Sequence, residues 1–312
     1  EADHQRGRYY MHTGFVPNPN VEHPSYGSLI AHELATAVPS LEIPPFVSVG
    51  GGSVGPGFLG TTWAPFVVSP QGDVKNLESE VSKERLASRL QMLAAIENRF
   101  IKERRGNLPL DHREIVGKSV QLMSSSQLAA FKVSEEPASV RERYGETNFG
   151  RGCLMARRLV EVGVPFVEVN LGGWDNHSNI FGTLADQRLP NLDRAMSALI
   201  ADLADRGILD TTAVIWMGEF GRTPTINGNG GRDHWARSWS AVVGGAGFTR
   251  GVVVGETSAD GREVASEPYS SQDLMTSVLK SLDISLETTF RAKNGRPMKI
   301  ANGGQVIPGL FS

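Results

Sequence analysis

From residue 147 onward the chain alternates amphipathic helical segments with continuous apolar runs, and this rhythm limits the possible folds more than any other feature. NFGRGCLMARRLVEVG has a helical pattern that stops at Gly163, VPFVEVNLGG is an uninterrupted apolar strand, and DQRLPNLDRAMSALIADLADRG is a second helical segment. Further apolar strands follow at 212–217 and near 240. Strands of this kind, separated by helices, are typical of a mostly parallel sheet with helices on both faces. The sequence therefore predicts an α/β fold.

The first half of the chain predicts shorter elements and a helical insertion. Residues 25–37 form a helical pattern with Ser25 as a possible N-cap, and PPFVSVGGG and TTWAPFVVSP are predicted as strands. Residues 81–103 carry leucines at helical spacing, and 111–132 predicts a second, weaker helix. We interpret 78–135 as a helical insertion within a single domain that spans 1–312.

Composition excludes several classes of function. The chain has 31 basic and 34 acidic residues, so its formal charge of −3 gives no bulk attraction to nucleic acid or to an anionic membrane. No apolar stretch reaches the roughly 18 residues of a membrane span. Cys153 is the sole cysteine, which excludes an internal disulfide and a four-thiolate metal site. Its helical pattern places Cys153 on an apolar face, and no feature predicts an oligomeric state.

Three polar clusters adjoin predicted strands, in the kind of position where open α/β sheets bind ligands. In chain order they are Asp175 and His177 in GGWDNH, Glu219 and Arg222 in MGEFGRTP, and Asp233 and His234 in GGRDHW. Because neighbouring strands lie about 4.8 Å apart, loops at adjacent strand ends can converge on one ion. Carboxylate and imidazole ligands suit zinc first, with calcium or manganese as alternatives. The sequence therefore predicts a divalent metal site.

Simpler interpretations of these clusters stay open. An Asp-x-His pattern after a strand can be a turn in which the Asp side chain caps backbone N–H groups, and Glu219 is equally suited to pair with Arg222. Arg222 and Arg232 suit an anionic substrate, since guanidinium binds phosphate or sulfate with two donors. The segment HELAT has Thr36 where a zinc-protease helix has its second His, so we predict an ordinary helix there. GGAGFTRG lacks the dinucleotide-binding glycine pattern and predicts a turn, which argues against a nucleotide-binding oxidoreductase.

The motifs TNFGRGCLMARRLVEVGVPFVEV, GGWDNH, GEFGRTP, GRDHW and NGR occur in this order in a sulfatase-like family. The chain resembles that family, domain of unknown function fifteen-oh-one, over almost its whole length. The family is placed in the alkaline phosphatase and sulfatase superfamily, so the resemblance implies an alkaline phosphatase-like fold. It implies that Asp175, His177 and His234 hold one metal, with Asp233 and Glu219 as ligands or as groups that orient ligands. Phe220 stands where the superfamily often has a His, which leaves a second metal in doubt.

The first residues resemble the segment around the sulfatase nucleophile. HQRGRYYMHTG ends in the same Thr-Gly pair, which places Arg8 on the sulfatase Arg and His4 on the nucleophile. Relative to the family, the chain begins after a strand and an Asp-bearing loop. Since His4 is neither a hydroxyl nor a thiol, the resemblance implies that His4 binds metal or that water attacks instead, with Arg222 and Arg8 clamping the anion. We predict His12 on the helix surface and His23 as a cap of the next helix.

These features together predict a metal-dependent hydrolase of phosphate or sulfate esters. Its partner would be a small anionic ester or a sulfated or phosphorylated glycan, with no nucleic acid and no membrane span. The alternative is a member of the same fold that binds metal or an anionic glycan without catalysis. Because family members commonly carry an export signal, the resemblance implies a periplasmic or secreted protein.

Overall fold

The computed structural model describes residues 2–74, 77, 79–103 and 108–311. Its helices are α1 (His4–Thr13), α2 (Tyr26–Leu34), α3 (Lys83–Lys102), α4 (Leu108–Ser124), α5 (Ala138–Tyr144), α6 (Asn148–Glu161), α7 (Ile180–Thr183), α8 (Leu189–Asp205) and α9 (Ser271–Ser281). Its strands are β1 (Phe46–Val49), β2 (Phe66–Val68), β3 (Phe166–Val169), β4 (Val214–Trp216), β5 (Gly221–Arg222), β6 (His234–Trp235), β7 (Val242–Gly244), β8 (Thr289–Arg291) and β9 (Pro297–Lys299). The chain combines helices and strands, and the parallel part of its structure is one small sheet.

A small parallel sheet with the order β2-β1-β3 lies at the centre of the first half. One face carries Val47 and Val49, which are buried together with Leu154 and Leu159 of α6. On the other face α2 packs so closely that a Cβ at Gly27 would lie 2.7 Å from ring atoms of both Phe46 and Phe166. Helices therefore cover both faces of this sheet, as predicted.

The later strands do not extend the parallel sheet among the described residues. β4 pairs with β7 antiparallel, with Val214 opposite Gly244, and β5 pairs with β6 antiparallel. The prediction of parallel strands at 212–217 and near 240 was therefore wrong. An apolar run indicates burial but not direction, and a parallel return needs a crossover that usually contains a helix. No helix is present between β4 and β7, and the chain returns antiparallel.

Capping residues define the ends of several helices. Ser25 caps α2 by accepting a hydrogen bond from the backbone N–H of Ser28, and Thr147 caps α6 in the same way through Gly150. Gly14 ends α1 in the left-handed conformation, with φ of 73°. The predicted N-cap of the 25–37 helix is thus confirmed.

The predicted insertion contains the helical pair α3 and α4, followed by a 3-10 segment at Ser126–Phe131. Its proposed first residue, 78, lies outside the described residues. Glu97 of α3 is buried and forms ion pairs with His112 and Arg113 of α4, which holds the two helices together. Within the part of the chain that the structure describes, no helix combines the length and apolarity required to cross a bilayer.

Candidate metal centre

Three separate parts of the chain bring side chains to the region beyond the carboxyl end of β3. After β3 the chain turns through Gly173, whose φ is 85°, and then presents Asp175 and His177. The two-stranded β5–β6 ladder places Arg222 opposite His234. The first helix, α1, adds His4 in its first turn. We call His4, Asp175, His177 and His234 the candidate centre.

Backbone hydrogen bonds join the loop after β3 to the loop before β6. Arg232 N–H donates to the carbonyl of Asn176 at 3.0 Å, and the Asn227 side-chain amide donates to the carbonyl of His177 at 3.1 Å. A Cβ at Gly231 would lie 2.1 Å from the carbonyl carbon of His177, so the two loops touch at a position where only glycine fits. The sequence NGNGG at 227–231 is the signal for this contact, and we did not predict its role.

All three imidazoles direct Nε2 at the carboxylate of Asp175. His177 Nε2 lies 2.8 Å and His234 Nε2 lies 3.0 Å from Oδ1, while His4 Nε2 lies 3.1 Å from Oδ2. The Nε2 atoms of His177 and His234 are 3.2 Å apart. Candidate ligand atoms of His4, Asp175 and His234 all lie within 4.8 Å of one another. The structure therefore places His4, Asp175 and His234 as one potential ligand group, while His177 contacts Asp175 and His234 from beside that group.

Each imidazole has a hydrogen-bond partner at its other nitrogen, Nδ1. These partners are Glu219 Oε1 at 2.5 Å for His4, Asp233 Oδ1 at 2.6 Å for His177, and the Ala2 carbonyl oxygen at 2.6 Å for His234. Because all three partners are acceptors, Nδ1 carries a proton in each case, and in a neutral ring Nε2 would then carry a lone pair. Glu219 and Asp233 thus orient imidazoles, which was one of the two roles predicted for them.

Charge at the candidate centre is balanced by Arg222, whose Nη1 donates to Asp175 Oδ1 at 2.5 Å. Burial alone would raise the pKa of Asp175, but hydrogen bonds from Arg222, His234 and His4 outweigh it and hold that pKa well below its usual value. Burial likewise opposes protonation of His4, yet the carboxylates of Glu219 and Asp175 raise the pKa of His4 above its ordinary value. The acid at the centre is therefore ionised, so the centre carries a negative charge that a cation can bind.

A cavity of about 300 Å³ opens beside the candidate centre. Arg222, Phe220 and Trp239 contribute to its wall. The buried ring of Phe220 also packs against His4 and His234, with ring centroids 5.0 and 4.7 Å apart. Phe220 therefore provides an apolar wall behind two imidazoles rather than a ligand.

Other predicted residues have different surroundings. Arg8 lies one turn after His4 on α1, where its guanidinium packs on Gly52. The Nη1 of Arg232 donates to the carbonyls of Thr223 and Pro224, which assigns it to holding the loop.

The prediction of His12 on the helix surface was wrong. Its side chain is 20% exposed and lies 3.7 Å from Glu168, and burial, with a smaller contribution from Arg8, lowers the pKa of His12 to about 4. The prediction of His23 as a helix cap was also wrong. His23 is buried against Phe15 and hydrogen-bonded to the Tyr9 hydroxyl.

Three further sequence interpretations concerned residues outside the centre. His32 lies in α2, an ordinary helix, and the GGAGFTRG segment forms a turn with no helix after it. Cys153 is buried in α6, where burial raises the pKa of its thiol to about 12. A thiol protonated at neutral pH is a poor nucleophile and a poor metal ligand.

The sequence model of a family described as "Protein of unknown function (DUF1501)" matches residues 1–311. The chain belongs to this family. No curated protein and no solved structure matches the chain. The DUF1501 match includes all four residues of the candidate centre and the carboxylates that orient its imidazoles.

Proposed function

We propose that this DUF1501 chain is a metal-dependent hydrolase of phosphate or sulfate esters, with one divalent cation held by the candidate centre. The observation that carries the proposal is the convergence of three Nε2 atoms on the carboxylate of Asp175 while each Nδ1 is occupied by an acceptor. Wherever Nε2 is unprotonated, its lone pair repels the carboxylate and a neighbouring Nε2 at about 3 Å. A cation between them converts that repulsion into coordination.

The donor set fits zinc best. His4, Asp175 and His234 supply two imidazoles and one carboxylate, and His177 beside them would complete the four ligands that zinc prefers, whereas calcium takes six to eight oxygens. Manganese remains an alternative because it accepts both imidazole and carboxylate. The Nδ1 partners Glu219 and Asp233 match the carboxylate–histidine–metal arrangement that fixes ring orientation and raises ligand basicity.

The proposed substrate is an anionic ester. When bound, the metal supplies polarisation of an ester oxygen and a lowered pKa for attacking water. Arg222 donates one N–H to Asp175 and keeps further donors in its planar fork, on the wall of the cavity beside the centre. Trp239 offers that cavity an aromatic wall, which suits a sugar ring as well as a small ester. By the family resemblance, His4 replaces the usual nucleophile, so water is the proposed attacking group.

A second candidate function is binding of metal or of an anionic glycan without catalysis. The observation that favours it is the 2.5 Å contact between Arg222 and Asp175, because a permanent cation already neutralises the carboxylate. An alkaline phosphatase-like fold and export from the cytoplasm are further proposals, and both rest on the resemblance of the sequence motifs.

One experiment separates the two candidates. The chain is stripped with a chelator, reloaded with zinc or manganese, and assayed for metal content and for hydrolysis of p-nitrophenyl phosphate and p-nitrophenyl sulfate. Bound metal with turnover supports the hydrolase, and bound metal without turnover of either ester supports the binding protein. The double substitution Asp175→Ala, His177→Ala serves as the site variant and His32→Gln as the control. Equal metal content in all three proteins would show that the candidate centre holds no ion.

A further inference from the structure

Two arginines lie flat against glycines in the loops that follow β1 and β3. A Cβ at Gly173 would lie 2.2 Å from Nη2 and 2.4 Å from Cζ of Arg188, which ends the π-helical turn Leu184–Arg188. A Cβ at Gly52 would lie 2.2 Å from Nη2 of Arg8. Any larger residue at either glycine would displace the guanidinium.

One nitrogen of each of these arginine side chains lacks a hydrogen-bond partner among the described residues. Arg188 Nε and Arg8 Nη2 are buried atoms without a hydrogen-bond partner, and neither side chain forms an ion pair with a described carboxylate. The buried Arg157, by contrast, lies within 3.0 Å of carboxylates from Glu136, Glu161 and Asp202. Because leaving a buried charged donor unpaired costs free energy, an acceptor from outside the chain would stabilise both arginines.

Both arginines adjoin segments at the rim of the candidate centre: Arg188 packs on the loop that bears Asp175, and Arg8 lies on the helix that bears His4. Gly173 and Asp175 are two residues apart, so their Cα atoms are separated by at most about 7 Å. Arg8 follows His4 by one helical turn, which places the two side chains on the same face of α1. The Asn170 amide donates to the carbonyl of Gly51 at 2.7 Å and ties the two glycine loops together.

Of the two arginines, Arg188 has the stronger evidence for binding an anion from outside the chain. Arg8 faces the carboxylate of Glu168, whose pKa is raised by burial and partly lowered again by Arg8. For Arg188, no ion pair with a carboxylate is present among the described residues, and its buried Nε has no hydrogen-bond partner there. It also ends a π-helical turn, and such turns occur frequently at functional sites.

We propose that Arg188 is an anion-binding residue, and that the ligand of the candidate centre carries a second negative group, which Arg188 binds. A sulfate, phosphate or carboxylate substituent fits a guanidinium fork, so the ligand class is an ester with at least two anionic groups, such as an acidic glycan. Arg8 borders the same rim from α1. The inference rests on the proposed function for the first anionic group and adds a second attachment point.

The test compares a monoanion with a dianion, neither of which can be hydrolysed. Binding of methanesulfonate and of propane-1,3-disulfonate is measured by calorimetry at low ionic strength, because salt screens such contacts. We expect the wild-type chain to bind the disulfonate about tenfold more tightly, and Arg188→Gln to remove that advantage while methanesulfonate binding changes by less than about twofold. Arg250→Gln, at an exposed ion pair with Asp210, removes the same charge and should behave as wild type.

Two outcomes overturn the proposal: a wild-type chain without preference for the disulfonate, or an Arg188→Gln chain that keeps the preference. Arg188→Met, which retains the aliphatic stem, takes the place of Arg188→Gln if that variant fails to fold. Metal content is measured separately on each sample. A chain that binds no metal contradicts the proposed function, whereas the disulfonate comparison alone decides the role of Arg188.

Discussion

The Nε2 atoms of His177 and His234 face each other at 3.2 Å, and both lie within 3.0 Å of one carboxylate oxygen of Asp175. Since Nδ1 of each ring is bonded to an acceptor, Nε2 must either take a proton or bind a cation. Protons and metal therefore compete at this point. Metal binding should release protons and should weaken as the pH falls.

The proposed ligands predict that replacing Asp175 weakens zinc binding. We expect one zinc per chain in the wild type and an affinity lower by at least about 100-fold in Asp175→Asn, because a neutral amide replaces the charged ligand. Competition with a chromogenic chelator measures the affinity. His32→Gln removes a histidine from α2 that contacts Glu33 and two aromatic rings, away from the candidate centre, and it should bind zinc as the wild type does. Unchanged zinc affinity in Asp175→Asn would argue against the candidate centre.

Asp233 is expected to act on the metal through His177. Replacing it by Ala removes the acceptor for Nδ1–H of His177. The ring is then less well oriented and less basic, so zinc affinity should fall about 10- to 100-fold. The same chelator competition gives the value. Asp210→Ala is the matched control, since that carboxylate is exposed and forms an ion pair with Arg250. Equal affinities for the two variants would mean that Asp233 does not position His177.

The contact between Gly231 and His177 predicts a backbone effect. Ala at 231 would place its Cβ 2.1 Å from the carbonyl carbon of His177, so the loops must separate and zinc affinity should fall by at least about tenfold. Gly228 lies in the same loop, and a Cβ added there would meet no atom within 4 Å, so Gly228→Ala should leave binding unchanged. A crystal structure of Gly231→Ala with an undisturbed His177 would contradict this account.

Asp202 predicts how stability depends on pH. Burial would raise its pKa, but hydrogen bonds from Tyr144 and Arg206, with the charge of Arg157, hold it below the ordinary 3.8. Since the folded pKa lies below the unfolded one, the stabilisation is complete above pH 3.8 and is lost as the pH falls through the folded value. Asp202→Asn should therefore cost about 3 kcal/mol at pH 7 and less at pH 3.

Urea unfolding at the two pH values measures this difference. Asp205→Asn, at a side chain that is 71% exposed, is the control and should stay within about 0.5 kcal/mol of wild type. A cost for Asp202→Asn that is the same at pH 7 and pH 3 would assign the loss to packing rather than to charge.

The sequence predicted which residues converge, but for an incomplete reason. Asp175, His177 and His234 were expected to meet because adjacent parallel strands end side by side. They meet instead through the antiparallel β5–β6 ladder and the hydrogen bonds of Asn227. Motif order and polarity are local properties of the chain and could be interpreted, whereas strand direction depends on partners distant in sequence.

The surroundings of His12 and Arg188 could not be predicted either, because they too depend on residues distant in sequence. His12 recurs four residues after Arg8 on α1, yet its burial depends on Glu168 of β3, more than 150 residues away. Arg188 stands in an unremarkable helical pattern, and only the packing on Gly173 distinguishes it. Hairpin geometry, by contrast, is local: the chain turns at Asn294-Gly295, a pair that favours tight turns, between β8 and β9.

The position of His4 in the first turn of α1 couples ion occupancy to the opening of a helix end. Buried residues of α1 are confined to Gly7, Met11 and Thr13, so few apolar contacts restrain its beginning. An ion bound to His4 adds its own free energy of binding to the cost of fraying that turn. Deuterium uptake by the amides of α1 would then slow as the fraction of centres that hold an ion increases. The exchange rate of this helix therefore reports ion occupancy.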